Sequence, residues 1–409
     1  MTSRAGGGRD IGTSPPGRSE HLPPISVVGR LDRLRKILAT EGAGSTSGAS
    51  SDGSPSGGPL DVLVVTEAAN IRWLTGFSGS AGTLVVTPER ALLVTDGRYR
   101  TQSTEQVDAS GAEGVDIVIG GGGAQRDALV TAAAGASRVG LEADRVSWAA
   151  ATSWQASFSP SALVPVSGLV EQLRHIKDDA EIARMALAAA AADAALAQTL
   201  PLLAAAGRRT GGVLTEAAFG AALDHAMRMQ GAEDRAFETI VASGENSAKP
   251  HARPGSRIIG PGDPVVVDFG AMVDGYRSDM TRTFCIGGEP TGTLGDVFAV
   301  VAESQQAGVA TVLPGREAGD VDAACREVIG AAGWAENFEH GTGHGVGLDI
   351  HEGPSVGAGS TAILWAGTVV TVEPGVYLPD IGGVRIEDTL VVTSEGSRPL
   401  TLFPKDVAV

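Results

Sequence analysis

The chain of 409 residues is short of two things, cysteine and positive charge. Its two cysteines, Cys285 and Cys325, are too few for a disulfide framework and fit a reducing cytosol. Lysine and arginine number 31 against 48 aspartate and glutamate residues, so the formal net charge is −17. This acidic balance argues against nucleic acid or an anionic membrane as a partner.

The sequence also lacks long uninterrupted apolar runs. Residues 1–24 are rich in glycine, proline, serine and arginine and hold no apolar core of a signal peptide, so we predict a disordered tail. The most apolar later run, residues 188–206, is interrupted by Asp193, Gln198 and Pro201, which indicates an alanine-rich helix and not a membrane span. These features predict a cytoplasmic protein with no membrane partner.

The length of 409 residues is enough for two domains of ordinary size, and a hydrophobic content of 43% makes a real core possible. Strands alternating with helical patterns predict an α/β domain over residues 25–168. A glycine- and serine-rich stretch at residues 42–59 interrupts it and is interpreted as a flexible insertion. Acidic residues at the start of the alanine-rich helix mark a boundary near residues 170–180. The predicted strands of the first domain lie at residues 61–66, 83–87, 91–95 and 115–119. A second domain is predicted over residues 175–405.

Two well-known site motifs are missing from the sequence. The glycines at residues 120–123 follow a strand and precede a helix, but no register gives the G-x-G-x-x-G pattern of dinucleotide sites. A serine hydrolase would need G-x-S-x-G, and the glycine- and serine-rich stretch at residues 76–82 does not fit that spacing. We interpret both stretches as loops of the first domain.

The second domain is organised around the segment VVVDFGAMVDGYRSDMTRT, at residues 265–283. Asp274-Gly275 lies between two strand-like runs and predicts a two-residue hairpin turn. Strand periodicity then places Asp268 and Asp279 on one face of the ribbon, as diagonal neighbours roughly 7–8 Å apart. Because an isolated buried carboxylate is very costly, the two acids need a compensating charge unless the turn is simply exposed.

Histidines cluster beside glycine-rich segments in this half of the chain. Three of the seven, His340, His344 and His351, fall within the segment EHGTGHGVGLDIHEGP, and His251 precedes them. Glycines at alternate positions argue against a helix and suit an extended backbone that another group approaches closely. Any one of these histidines alone is best explained as a structural residue, whereas three together favour a site.

Further carboxylates end or interrupt apolar strands. Glu373 follows the apolar run VVTV, and in GGVRIEDTLVVT the period of two predicts that Arg385 and Glu387 share one strand face. Taken alone, these residues are typical of solvated strand ends and surface pairs. With Asp268 and Asp279 the set becomes four carboxylates, which together with one imidazole suit divalent ions, Mn²⁺ foremost and Co²⁺, Fe²⁺ or Zn²⁺ as alternatives. Two such ions can activate water and polarise a carbonyl, which is chemistry for hydrolysis.

The motifs as a set resemble those of one family. FETIVASGENSAKPH, VDFGAMVDGYRSDMTRT, HGTGHGVGLDIHEGP, VEPGVY and VRIEDT, with NIRWLTGFSGSAG and DGRY near the start, are similar to segments of the Xaa-Pro peptidases. These are the aminopeptidase P and prolidase group of pita-bread metallopeptidases, and the likeness covers about residues 25–405. It implies an α+β protein with a C-terminal pita-bread (creatinase/aminopeptidase) domain and an N-terminal α/β domain of the creatinase/prolidase type.

The resemblance also implies a role for each matching residue. Five side chains would hold two metal ions: Asp268, Asp279, His344, Glu373 and Glu387. Glu373 would in addition act as the general base toward the attacking water. His251 and His351 would contact the substrate at the scissile bond, and His340 would line the proline side. Arg385 and Tyr377 would form a relay behind Asp268 that orients it.

Two activities of this group fit the sequence, and we predict the first. An Xaa-Pro aminopeptidase removes the N-terminal residue from longer peptides and needs an open end. A prolidase cleaves Xaa-Pro dipeptides and must hold a free carboxylate. Both act on a bond whose nitrogen carries no hydrogen, so metals and a shaped pocket can replace backbone recognition. Family resemblance also implies a homodimer, because the N-terminal domain of such proteins usually reaches the neighbouring subunit's site.

More distant members of the fold are weaker alternatives. Methionine aminopeptidases share the five metal ligands, but they lack the N-terminal domain and, as a family, have no arginine at the position of Arg385. Creatinase-like and non-catalytic members lose metal ligands, whereas this sequence retains all of them. The proline-containing peptide therefore stays the predicted partner.

Overall fold

The computed structural model describes residues 22–40, 58–208, 212–406 and 408–409. Most of the predicted tail at residues 1–24 and of the predicted insertion at residues 42–59 lies outside the described residues. The described flanks of that insertion meet, since the backbone N–H of Leu60 donates to the carbonyl oxygen of Leu38 at 2.9 Å.

The N-terminal part alternates helices and strands. In chain order these are α1 (Arg30–Thr40), β1 (Val62–Val65), α2 (Ala68–Thr75), β2 (Gly82–Val86), β3 (Ala91–Thr95), α3 (Arg100–Ser110), β4 (Val115–Ile119), α4 (Gly122–Ala132), β5 (Arg138–Glu142), α5 (Trp148–Phe158), β6 (Ala162–Val166) and α6 (Glu171–Arg174). Its strands form one six-stranded sheet in the order β4-β3-β2-β1-β5-β6. The sheet is mixed, because β2 is antiparallel to both β1 and β3 while the remaining pairs are parallel. The predicted α/β character is confirmed, and the predicted bounds of β3 and β4 match the structure.

The C-terminal part begins with two long helices. In chain order its elements are α7 (Asp179–Ala206), α8 (Glu216–Met229), β7 (Asp234–Arg235), β8 (Ile240–Ser243), β9 (Pro264–Phe269), β10 (Ala271–Val273), β11 (Tyr276–Arg277), β12 (Met280–Cys285), α9 (Gly292–Thr311), α10 (Ala318–Ala331), β13 (Gly343–Gly345), β14 (Glu352–Val356), β15 (Val369–Val372), β16 (Gly375–Leu378), β17 (Gly382–Arg385), β18 (Asp388–Val392) and β19 (Ser397–Pro399). Four small sheets result, in the orders β11-β10-β7, β12-β9-β8, β14-β13-β15-β18-β19 and β16-β17.

Helix α7 starts at a capping box and runs through the core. The Asp178 side chain accepts from the backbone of Glu181, and the Glu181 side chain accepts from the backbone of Asp178. By length and composition α7 is the one described helix that could cross a membrane. In the fold, side chains such as Met185 and Leu196 are fully buried, and the helix packs against α8 and β10. This packing is that of a core helix.

The C-terminal part consists of two halves, each with its own apolar core. In the first half α7 and α8 pack on the strands β8, β9, β10 and β12, with Phe219 and Val267 in one cluster. In the second half α9 and α10 pack on the sheets that contain β14 to β18, with Val301 and Val370 in another. Each half brings strand ends to the middle of the domain, and that is where the candidate site lies.

The predicted hairpin turn is confirmed. Val273 pairs with Tyr276, and the two turn residues have positive φ angles, 45° at Asp274 and 70° at Gly275. Such angles belong to the type I′ turn that two-residue hairpins favour. Beyond the turn, β9 and β12 pair in register from Phe269 opposite Met280 to the far end of the ribbon.

The predicted single strand through GGVRIEDTLVVT is wrong. Strand β17 ends at Arg385 and pairs with β16, whereas β18 starts at Asp388 and pairs with β15. The chain thus changes sheet between the two, and Glu387 lies in the connection. Its backbone N–H is satisfied by the carbonyl oxygen of Thr281 at 3.1 Å, a partner in the other half of the domain.

Candidate metal centre

Three carboxylates from both halves converge at the middle of the C-terminal domain. Asp268 lies on β9, Asp279 on the connection between β11 and β12, and Glu387 on the connection between β17 and β18. One carboxylate oxygen from each lies within 4.8 Å of the others. The expected closeness of Asp268 and Asp279 across the ribbon is therefore found, with a third acid added by the opposite half.

His344 and Glu373 border this cluster. The Nε2 atom of His344 lies 3.5 Å from Asp279 Oδ2 and 3.3 Å from Glu373 Oε1. The other ring nitrogen, Nδ1, lies 3.0 Å from the carbonyl oxygen of Gly345. A carbonyl can only accept, so Nδ1 carries a proton and Nε2 is the ring nitrogen that faces the carboxylates. Burial opposes protonation of this ring, but the contact with Glu373 prevails and raises the pKa of His344. Thr371 donates through Oγ1 to Glu373 Oε1 at 3.2 Å and fixes that carboxylate.

The donor set fits divalent ions. Among the described residues, Asp268 Oδ1 and Glu387 Oε1 are buried side-chain oxygens without a hydrogen-bond partner. A buried oxygen without a partner is costly, and a cation between these carboxylates would satisfy both atoms. Carboxylate oxygens and one imidazole also match the ligand preferences of Mn²⁺ and its neighbours. The donor atoms of these residues are therefore suited to binding divalent metal ions.

The electrostatics of the cluster lead to the same conclusion. Burial, followed by repulsion from Glu387, raises the pKa of Asp279 well above its usual range. Burial and repulsion from Glu373 do the same to the pKa of Glu387. Burial alone would also raise the pKa of Glu373, but the contact with His344 prevails and lowers it. Acids this crowded need added positive charge to be ionised together.

A relay of polar side chains stands behind the cluster. Arg385 donates through Nη2 to Asp268 Oδ2 at 2.6 Å and through Nη1 to Tyr377 Oη at 2.8 Å. Tyr377 Oη lies 2.9 Å from His340 Nε2, and His340 Nδ1 lies 2.8 Å from the carbonyl oxygen of Gly341. Nδ1 carries the ring proton and donates it in a hydrogen bond to that carbonyl, so Nε2 accepts a hydrogen bond from the tyrosine hydroxyl. The expected relay is longer than the sequence implied, because it reaches His340.

The remaining predicted site residues line one cavity of about 320 Å³ together with the carboxylates. His251 and His351 both border it, and the His351 ring lies 4.3 Å from the His344 ring between centroids. Burial, followed by the nearby His344, lowers the pKa of His351. Burial likewise lowers the pKa of His340, so both rings favour the neutral form near pH 7.

Other groups of the protein pack closely against the alternate glycines near the histidines. A Cβ atom at Gly343 would collide with the carbonyl oxygen of Thr371, and one at Gly345 with the carbonyl oxygen of Gly353. At Gly347 it would meet the carboxylate of Glu352. The sequence-based interpretation of these glycines is confirmed, and β13 can therefore lie tightly between its neighbours.

Sequence reasoning missed several residues that shape the site. Thr281 accepts from Arg385 Nε at 3.1 Å and donates to Glu387 Oε2 at 2.7 Å, so one hydroxyl connects the relay to the carboxylates. Phe237 and Ile240 form part of the cavity wall. The signal for Thr281 was its place two residues after Asp279 on the return strand. Phe237 and Ile240 lie in ordinary apolar sequence and offered none.

Comparison with known proteins defines the class of the chain. Residues 183–394 match the model of Metallopeptidase family M24, and residues 56–176 match the Creatinase/Prolidase N-terminal domain. The uncharacterized peptidase YqhT of Bacillus subtilis is 40% identical over 351 residues, which cover 86% of this chain and 96% of that protein.

Solved structures show the same fold. An Xaa-Pro dipeptidase from Bacillus anthracis matches with a TM-score of 0.83 and 35% identity, covering 94% of this chain and 100% of that chain. An X-Pro aminopeptidase from Thermotoga maritima matches with a TM-score of 0.76 and 31% identity, covering 86% and 98%. By fold and site the protein is a hydrolase with a creatinase-type N-terminal domain and a pita-bread domain. It belongs to metallopeptidase family M24 and is an Xaa-Pro peptidase. The family implies divalent metal ions, for which the carboxylate cluster is present.

Proposed function

We propose that this chain is an Xaa-Pro aminopeptidase, which removes the first residue from peptides with proline in second position, with two divalent ions in its site. The ions would be held by the five side chains Asp268, Asp279, His344, Glu373 and Glu387, and Mn²⁺ is the proposed metal. When bound, they would activate water and polarise the carbonyl of the scissile bond. The protein's own residues supply the remaining functions.

Glu373 is suited to accept the proton of the attacking water. The contact with His344 keeps its pKa low despite burial, so the carboxylate is ionised near pH 7. Thr371 occupies Oε1 through its hydroxyl, which orients the group. Burial lowers the pKa of His351, which borders the cavity, so its neutral ring can donate a hydrogen bond to the developing oxyanion. The proton that Glu373 takes from water can then pass to the leaving nitrogen.

The observation that carries the choice of aminopeptidase over dipeptidase is the continuation of the cavity. Phe237, Ile240 and His251 line both the metal-site cavity and an adjoining open cleft of about 580 Å³. An exopeptidase that releases one residue needs a closed end for that residue and an open end for the rest of the chain. The cleft is the space to which we assign the part of the peptide that continues beyond proline.

The charges in the metal-site cavity support the same choice. Of the described residues that line it, Arg385 is the single lysine or arginine. Its guanidinium is already bound by Asp268, Tyr377, Thr281 and the carbonyl oxygen of Pro250. Within this cavity the free carboxylate of an Xaa-Pro dipeptide would therefore find no uncommitted lysine or arginine among the described side chains, whereas Arg235 and Arg253 line the adjoining cleft.

The test is a hydrolysis assay on metal-stripped protein to which Mn²⁺ is returned, with Ala-Pro and Ala-Pro-Ala as parallel substrates. Cleavage of Ala-Pro-Ala with little cleavage of Ala-Pro is expected. Cleavage of the dipeptide alone would overturn the proposal in favour of prolidase. Co²⁺, Fe²⁺ and Zn²⁺ in parallel reactions test the choice of metal.

The proposed setting is a cytoplasmic homodimer that acts on peptides and has no nucleic-acid or membrane partner. The proposal of a cytoplasmic location is supported by the two free, buried cysteines, which suit a reducing compartment. The net charge of −17 supports the exclusion of polyanions. Analytical ultracentrifugation checks the dimer.

A further inference from the structure

The two acids that flank His351 are held by cations from outside the pita-bread halves. Arg174, the last residue of α6, donates through Nη2 to Asp349 Oδ2 at 2.8 Å and to Glu352 Oε2 at 2.5 Å. Lys177, in the segment that leads into α7, donates through Nζ to Glu352 Oε1 at 2.7 Å. Both oxygens of Glu352 are thus bound by cations, one residue away from a histidine of the metal-site cavity.

The two ion pairs of Glu352 lie inside the protein. The exposed fraction of the side chain is 2% for Arg174, 1% for Lys177 and 4% for Glu352. The two cations prevail over burial and lower the pKa of Glu352, so the carboxylate stays charged. Charged and doubly bound, Glu352 has little freedom to move.

Arg174 is itself fixed by the N-terminal domain. Its Nη1 atom donates to Asn70 Oδ1 at 2.8 Å, and Asn70 lies on α2. The Asn70 amide in turn donates to Glu142 Oε1 at 2.7 Å and to Glu171 Oε1 at 2.8 Å. The guanidinium is therefore oriented from one side by the N-terminal domain and binds the His351 segment with the other.

The backbone around His351 is equally confined. A Cβ atom at Gly353 would collide with the ring of His175, and a Cβ atom at Gly347 would meet the Glu352 carboxylate. The segment between these glycines is confined by the His175 ring at one end and by its own Glu352 carboxylate at the other. Small displacements of His351 are thus opposed by packing as well as by charge.

We propose that Arg174 and Lys177 are positioning residues for His351, and that the N-terminal domain thereby sets the geometry of the substrate side of the metal centre. The inference rests on the proposed function in one respect, that His351 contacts the peptide. Neither cation lines the cavity, so both act only through Asp349, Glu352 and the backbone between them.

The test uses Arg174→Met, the conservative Arg174→Lys and the matched control Arg30→Met, all in the full chain. Arg30 is also 2% exposed and also pairs with two carboxylates, Asp178 at 2.7 Å and Glu181 at 3.1 Å, which lie at the start of α7 and do not flank His351. Both methionine variants are expected to unfold at lower temperature. Only Arg174→Met should lose kcat/KM on Ala-Pro-Ala, by about 10²-fold, since small misplacements in an active site have effects of that size. Arg174→Lys should recover part of the loss, and metal content should be unchanged.

A double-mutant cycle with His351→Ala identifies the route of the effect. If Arg174 acts through His351, Arg174→Met adds little further loss of kcat/KM once the histidine is gone, whereas Arg30→Met combines additively. Additive effects of Arg174→Met and His351→Ala would overturn the proposal. So would equal losses of activity in Arg174→Met and Arg30→Met.

Hydrogen exchange measured by mass spectrometry gives a readout that does not depend on turnover. Peptides covering residues 346–356 are expected to exchange faster in Arg174→Met than in wild type or Arg30→Met. If wild-type protein cleaves neither proline peptide, the proposed function fails while the exchange result still decides whether Arg174 holds the segment. Unchanged exchange in residues 346–356 of Arg174→Met would overturn the inference even in an active enzyme.

Discussion

Arg385 binds one oxygen of Asp268 at 2.6 Å and leaves the other, Oδ1, buried and without a partner among the described residues. The arginine thus orients the carboxylate so that a single oxygen is available to a cation. Because the same guanidinium also binds Tyr377, the orientation of Asp268 depends on the relay that reaches His340. The predictions for the metal centre follow from this arrangement.

Asp279→Ala is expected to lose both bound metal and hydrolysis. Asp279 has an oxygen within 4.8 Å of oxygens of Asp268 and Glu387, and its Oδ2 lies 3.5 Å from His344 Nε2, so its removal takes a carboxylate from the cluster that we assign to metal. The loss of activity should exceed about 10²-fold, since changes to residues behind the ligands already cost 10–100-fold. Elemental analysis and turnover of the purified variant check this. The exposed acid Asp320, changed to alanine, serves as the control, and retention of metal by Asp279→Ala would contradict the assignment.

Tyr377→Phe is expected to keep its metal and to lose activity by about 10–100-fold. The change removes the hydroxyl that accepts from Arg385 and faces His340 Nε2, while the ring still fills its buried position. Tyr276→Phe is the matched control, since its buried hydroxyl lies 2.9 Å from Glu181 Oε1, away from the cavity. Metal content and kcat are the measurements. Equal kcat values in the two variants would show that the relay has no part in the reaction.

Glu352→Gln is expected to destabilise the fold in a pH-dependent manner. Lys177 and Arg174 prevail over burial and lower the folded-state pKa of Glu352 from its ordinary value of 4.5. A lowered pKa adds stability above the ordinary value, and this stability disappears as the pH falls through the folded-state pKa. The variant should therefore be less stable than wild type by about 3–5 kcal/mol at pH 7, and by less below pH 4.5. Urea unfolding across that range measures the difference, with the exposed Glu395→Gln as control. A difference that grows toward acid pH would contradict the sign.

Gly308→Ala is expected to destabilise the protein by about 1–3 kcal/mol. Glycine in a helix interior normally gains stability on change to alanine, by about 0.4–1 kcal/mol. At Gly308 on α9, however, the added Cβ atom would collide with Cys325 Sγ and approach Val372. Gly330→Ala on α10 is the matched control, because its nearest neighbour lies 4.0 Å away. Opposite signs in chemical denaturation are expected, and equal signs would show that the α9 contact can relax.

Removal of the insertion is expected to leave hydrolysis of Ala-Pro-Ala unchanged. The backbone contact between Leu38 and Leu60 brings the described flanks together, so a short glycine–serine linker can replace residues 42–57. Changing the length of a surface loop alters stability by only about 0.6 kcal/mol per doubling. Turnover and thermal unfolding of the shortened protein check this, with a variant carrying a scrambled insertion as control. A large loss of kcat would give the insertion a role in the site.

Local chemistry made much of the fold predictable. The acids at Asp178 and Glu181 signalled a helix start and form a capping box, and Asp274-Gly275 signalled a turn that the structure contains. Local sequence also made the site residues predictable, because each of the acids and histidines interrupts an apolar or glycine-rich stretch. The structure places them together, while their roles in metal binding and catalysis stay predictions.

Contacts between distant segments were not predictable in this way. A period of two cannot show that the chain changes sheet between Arg385 and Glu387, since it does not reveal that β17 pairs with β16 whereas β18 pairs with β15. Arg174 and Glu352 are 178 residues apart, and neither has neighbours that indicate the other. Such pairs are decided by how the halves pack, which a local pattern does not contain.

The cations bound to Glu352 have a consequence for how the protein can be divided. Arg174 falls within the N-terminal family match at residues 56–176, Lys177 falls between the two matches, and Glu352 falls within the second at residues 183–394. A catalytic fragment cut at those borders would retain a buried carboxylate and lose both of its counterions. The smallest fragment that keeps these ion pairs is therefore larger than the peptidase domain. Chimaeras that exchange N-terminal domains must keep α6 and Lys177 together with the C-terminal domain whose Glu352 they bind.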